Sequence, residues 1–165
     1  MSKVIAFYTL DKSVSVIYPI WKNKIDDETE EQFLQRMSDS VPIQMKWSIR
    51  IQEDTLLPDS YFDVAWIIGG DEVIIDVRKA RVIQYDNIVI ARDYRLKELD
   101  ALEIEAWSKG DTSTLTKIKA KKQKLRDLTD TLKDELTEIN DLKKLKDYWP
   151  DILEIEKLRT KLKIS

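Results

Sequence analysis

The 165 residues contain neither cysteine nor histidine. Without cysteine there is no disulfide and no thiolate metal site. Without histidine the usual general base, the common zinc ligand and every Ser-His or Cys-His arrangement are gone. Long hydrophobic runs are missing too. Residues 4–8 form a short apolar run that ends before Asp11, too short for a signal-peptide core or a membrane span. The chain is therefore expected to be soluble where it is made. Neither charge sign dominates: the net charge of −3 gives no bulk attraction to nucleic acid or to acidic membranes. No catalytic residue, metal or cofactor is expected, and the chain reads as non-enzymatic.

Glycine and proline are also absent from residues 76–108, and that absence is informative. Such a stretch reads as one long helix, with Asp76 as its cap. Val77, Ile88, Leu99, Leu102 and Ala106 lie close to one line at helical spacing, with Tyr85 and Ala91 beside it. The eleven-residue step from 77 to 88 to 99 suits a nearly straight helix. Arg81, Arg92 and Arg95 fall near the same line and are expected to snorkel or to pair with carboxylates. Lys109-Gly110-Asp111 ends the helix, and Thr112 or Ser113 is expected to cap the next one. That helix carries Leu115, Ile118, Leu125, Leu128 and Leu132. Folded about Gly110, the acidic residues 98–105 oppose the basic residues 117–124, which specifies an antiparallel hairpin. Thr129-Asp130-Thr131 is a candidate break.

Before the helix, residues 3–10 and 13–18 read as a β-hairpin about Asp11-Lys12. Asp27 with Glu30 reads as a capping box for a short helix bearing Phe33, Leu34 and Met37. Residues 45–52 alternate, with Met45, Trp47, Ile49 and Ile51 expected on the buried face of a strand. Residues 62–68 and 72–75 flank Gly69-Gly70-Asp71 as a second hairpin. The five tryptophans look like packing anchors. After the helical hairpin, Asn140 is expected to cap a short helix with Leu142 and Leu145, ending at Trp149-Pro150. The tail then sets Ile155, Leu158 and Leu162 at helical spacing.

The fold class is thus α+β: an antiparallel β-rich head (1–75), a helical hairpin (76–133), and a short helix with a docking tail (134–165). Several clusters have an ordinary reading beside a functional one. The basic run 117–126 has no interleaved aromatics and faces an acidic arm, so a solvated face outweighs nucleic-acid binding. The acids Asp26, Asp27, Glu28, Glu30 and Glu31 lack an EF-hand's glycine and spacing and suit a helix N-terminus. Gly69-Gly70-Asp71 is a turn, not a phosphate loop. Asp59 and Asp63 are turn and edge residues, not a glycosidase pair. The mixed charge of the tail favours a protein partner over a membrane. The residues expected to contact a partner are Ile88, Leu99, Leu102, Leu115, Ile118, Leu125, Ile155, Leu158 and Leu162, with some of them internal to the hairpin.

An ordered set of stretches carries a resemblance. These are Asp27-Glu28-Thr29-Glu30-Glu31, residues 57–66 from Leu57-Pro58-Asp59-Ser60 to Ala65-Trp66, residues 75–81, residues 95–100, residues 121–127, and Tyr148-Trp149-Pro150. In order and spacing, from about residue 26 to residue 153, the chain resembles the tail-fibre assembly chaperones and tail-fibre-associated proteins of tailed bacteriophages. It departs from that pattern after Leu125-Arg126-Asp127, where Leu128-Thr129 stands in place of a nearby proline, and in a longer extension past Pro150. The resemblance implies a non-enzymatic structural adaptor or assembly chaperone bound to a tail-fibre or tail-adaptor protein. It implies a place in the virion tail, and in the host cytoplasm during assembly. A homo-oligomer is expected, a trimer being favoured because fibres are commonly trimeric. The alternative is a cellular coiled-coil adaptor unrelated to phage.

Overall fold

The computed structural model describes residues 3–154. They form an α+β fold of short antiparallel strands followed by long helices. The chain divides into two compact units, Met1–Ala80 and Arg81–Ser165.

In the first unit, β1 (Lys3–Tyr8) is the centre of a three-stranded antiparallel sheet, between β2 (Val14–Ile17) and β3 (Arg50–Glu53). Ile5 pairs with Ile17 on one side and with Ile51 on the other. The β1–β2 hairpin is as expected. Lys12 takes a positive φ of 66°, and the Asp11 carboxylate accepts from the Ser13 N–H at 3.1 Å. Between β2 and β3 lies α1 (Glu30–Asp39), which buries Phe33 and Leu34. Its cap is not Asp27 but Thr29. Thr29 Oγ1 accepts from the Gln32 N–H at 3.2 Å, and Gln32 Oε1 accepts from the Thr29 N–H at 2.8 Å. Asp27 is excluded because it takes a φ of 67°, whereas an N-cap needs extended backbone.

Residues 45–52 contradict the expected strand. Lys46–Ser48 is a 3₁₀ turn, and only Arg50–Glu53 is extended. The buried face is also inverted: Ser48 and Gln52 are inside, while Trp47 is 74% exposed and Ile51 faces outward. Hydrogen bonding explains the inversion. Ser48 Oγ accepts from the Tyr8 N–H at 2.9 Å and donates to the Met45 carbonyl at 2.7 Å. Gln52 Oε1 accepts from the Val73 N–H at 2.8 Å. Backbone amides left over where one strand pair meets the other must find acceptors, and these two polar side chains supply them.

Residues 62–68 were also expected to be extended throughout. Instead Ser60–Ala65 makes two short 3₁₀ turns about a kink at Phe62, and the second hairpin is β4 (Trp66–Gly69) with β5 (Glu72–Ile75). Gly70, at φ 67°, makes the turn, and Arg50 Nε donates to its carbonyl at 2.7 Å. Ala6, Trp66 and Val73 form a buried cluster with Val14, Val16, Leu57 and Ile75 packed on it. Tyr8 adds a further tie, its hydroxyl oxygen accepting from the Ile68 N–H at 2.8 Å.

α2 (Val77–Ser108) is the long helix, and Asp76 caps it by accepting from the Arg78 N–H at 2.9 Å. In the second unit it is joined through Gly110 to α3 (Thr112–Thr137). The cap of α3 is Asp111, one residue before those expected, accepting from the Thr114 N–H at 3.0 Å. Nor does α3 break at Thr129-Asp130-Thr131. Thr131 Oγ1 bonds Glu135 at 2.7 Å, and Leu125, Leu132 and Leu136 are buried on both sides of the site. A threonine whose hydroxyl is satisfied within the helix does not compete with it.

α4 (Leu142–Asp147) is capped by Asp141, accepting from the Lys144 N–H at 2.7 Å, not by Asn140. Asn140 Oδ1 instead accepts from Arg81 Nη2 at 2.8 Å, and Arg81 also donates to the Ile139 carbonyl at 3.2 Å. The buried Gln84 donates to the Tyr148 carbonyl at 2.7 Å. These bonds fasten residues 139–154 against α2, with Leu145 and Leu153 fully buried.

Candidate functional site

Two exposed apolar surfaces stand out, one in each unit. In the first unit a groove is lined by Tyr8, Leu10, Met45, Trp47 and Ile67, with Lys12 and Lys79 also lining it. The inversion of residues 46–52 creates it. Because Ser48 turns inward, Trp47 turns out and stacks on Tyr8, ring centroids 5.9 Å apart at 29°. Leu10 and Trp47 are both highly exposed. An exposed tryptophan braced by a second ring, beside lysines, offers a large rigid apolar face with cations near it. The expectation that Trp47 packs inside is thereby corrected. Alternation alone marked it as core; the missing signal was that Ser48 and Gln52 have buried amides to serve.

In the second unit a cleft near the hairpin turn is lined by Asp100, Glu103, Ile104, Trp107, Leu115 and Lys119. Trp107, also expected as a packing anchor, is 75% exposed. Behind the cleft lies Lys122, only 6% exposed. Its Nζ is 2.5 Å from the Asp100 carboxylate and also bonds Glu103. These bonds, to Asp100 first and then to Glu103, raise the Lys122 pKa and hold it charged despite burial. The acidic and basic arms thus meet at Lys122, as the charge pattern requires. Glu98 pairs with Arg95 on α2, and Glu105 with Lys109 just past its end, while Lys121 lies 3.4 Å from Glu154. Arg95 also pairs with Glu154, and Arg92 with Asp93.

The expected partner residues separate into two sets. Ile88, Leu99, Ile118 and Leu125 are buried within the second unit. Leu102 stays 50% exposed and Leu115 half-buried, so these two have area to offer. Ile155, Leu158 and Leu162 lie outside the described residues. Val82, Ile90, Ile104 and Trp107, all exposed on α2, were not among the expected contacts.

Other clusters have structural work. Glu28, in the acidic group before α1, takes a two-pronged bond from Arg36 at 2.8 and 2.7 Å. With the Ile25 N–H also donating to it, this holds the Glu28 pKa down at about 2, Arg36 being the larger cause. Asp59 accepts from the Tyr61 N–H at 2.9 Å, as a turn residue does. Among the described residues no helix is long and apolar enough to cross a membrane, and no cluster of three or more Asp or Glu could hold a metal ion. No protein-family model matches the chain, and neither a curated protein nor a solved structure matches it.

Proposed function

We propose that this chain is a non-enzymatic tail protein of a tailed bacteriophage, a structural adaptor or assembly chaperone held to a tail-fibre or tail-adaptor protein. It acts by attachment. Support comes from the ordered stretches that resemble that family, several of which have structural roles here. The Thr29 cap, the turn at Asp59, the Asp76 cap and the Tyr148 carbonyl that receives Gln84 all fall within them. The observation that carries the reading is the head groove, where Trp47 is presented outward on Tyr8. A side chain of that size, 74% exposed, suits a surface that a partner covers.

The test is co-purification of tagged chain from a phage lysate, with mass spectrometry of the bound proteins and of purified virions. A tail-fibre or tail-adaptor protein is expected in the eluate, and Trp47→Ala should reduce its recovery about tenfold or more. Because Trp47 is exposed, the variant should keep its helical circular dichroism. An eluate with host proteins and no tail protein would sink the reading. Finding the chain in virions would identify an adaptor; finding it bound to fibre only before assembly would identify a chaperone.

A further inference from the structure

The outer face of α2 carries an unexpected pattern. Residues 82, 86, 90, 93, 97, 101, 104 and 107 follow one another by three or four, and all eight are exposed. At 100° per residue they occupy a single stripe along the helix. Val82 and Ile90 lie toward one end, and Ala101, Ile104 and Trp107 toward the other. At the middle stand Asp93 and Lys97, of opposite charge and one helical turn apart. Asp93 is held along its own helix by Arg92 at 2.7 Å, yet 53% of its side chain is exposed.

This order is self-complementary under a two-fold axis near residue 95. In an antiparallel pair Asp93 comes beside Lys97 of the second copy, and Lys97 beside its Asp93. Ile90 then meets Ala101, and Val82 meets Trp107, each contact occurring twice, as a closed two-fold interface requires. Asp86 opposite Ile104 is a mismatch, and so is Asp100, exposed on the same face and brought beside Ile90. A parallel assembly on the same stripe, including the trimer suggested by fibre symmetry, sets Asp93 against Asp93 and Lys97 against Lys97. Like charges directly opposed disfavour that arrangement. We propose that the outer face of α2 is a dimer interface, covered by the same face of a second copy of this chain running antiparallel. The proposal is independent of the phage reading, because it needs only this chain.

Two measurements test it. Sedimentation equilibrium of the full chain over about 1–100 µM should give a concentration-dependent dimer mass. Lys97→Asp turns both central contacts repulsive and should raise Kd about tenfold; the double exchange D93K/K97D should restore it. The lack of native cysteine allows the orientation to be read directly. Ile90→Cys mixed with Ala101→Cys should form the mixed disulfide faster than either variant joins itself. Like positions in an antiparallel pair lie about 15 Å apart along the axis, beyond bridging range. A monomer at every concentration, a trimer, or Ile90→Cys joining itself fastest overturns the proposal.

Discussion

Lys122 shows how a single side chain can set the register of two helices. Its ammonium is held by Asp100 and Glu103 from α2, while its stem is buried with Ile118 and Leu125 on α3. The two roles can be separated by substitution. Asp100 and Glu103 keep access to water, so a neutral residue at 122 does not strand a buried charge. Lys122→Met, which keeps most of the stem, should cost within about 1 kcal/mol in urea denaturation. Lys122→Ala also loses the stem packing and should cost about 2 kcal/mol. Equal losses would mean that the charge, not the stem, dominates. At the same scale, Trp47 is an example of a residue whose type was readable and whose direction was not. Its outward turn follows from the hydrogen bond that Ser48 accepts from the Tyr8 N–H, forty positions away, which local alternation cannot contain.

At the scale of elements, the long helix was the most legible feature. Its lack of glycine and proline and its Asp76 cap are local facts, and local facts decide a helix of this length. Both hairpins were legible for the same reason, since Lys12 and Gly70 mark their turns. Caps were misplaced by one or two residues at α1, α3 and α4, where adjacent side chains are equally able acceptors and backbone angle selects among them. The predicted partner stripe was legible as apolar, but periodicity does not say which of two faces a neighbour covers. Ile88 and Leu125 accordingly lie inside, while Val82, Ile90, Ile104 and Trp107, off that apolar line, are exposed. The turn at Gly110 is the element joint most open to test. Its φ of 66° lies in the left-handed region, and an added Cβ would meet nothing within 4 Å, so the penalty is purely one of backbone conformation. Gly110→Ala should therefore cost about 1 kcal/mol by chemical denaturation, with helix content unchanged. A neutral result would mean that the turn relaxes to another geometry.

For the whole molecule, the absence of histidine becomes a statement about stability. No side chain of ordinary pKa titrates near neutrality, so the thermal midpoint should be flat from about pH 6 to 8. Below that range the carboxylates take over. Asp11, bonded first by Thr9 and then by Ser13, and Glu28, bonded first by Arg36, are both held near 2; Glu105, Asp111 and Glu135 are also lowered. A depressed folded-state pKa means that the stabilisation is present above the unfolded value, about 4, and is lost as pH falls toward 2. These groups lie near the surface, so the decline should be gradual and weaker at high salt. At the other extreme, burial and then the Glu135 carboxylate push the Tyr148 hydroxyl up to about 12. A raised folded-state pKa gives the opposite sign: the contribution is present below the unfolded value, about 10, and is lost as pH rises toward 12. Lys109, raised by Glu105, and Lys122 add in the same direction. A plot of Tm against pH should therefore be a broad plateau with two shoulders, and Tyr148→Phe should shrink the alkaline shoulder while leaving most of the acid one. A step between about pH 6 and 8 would show that a group outside this set governs stability.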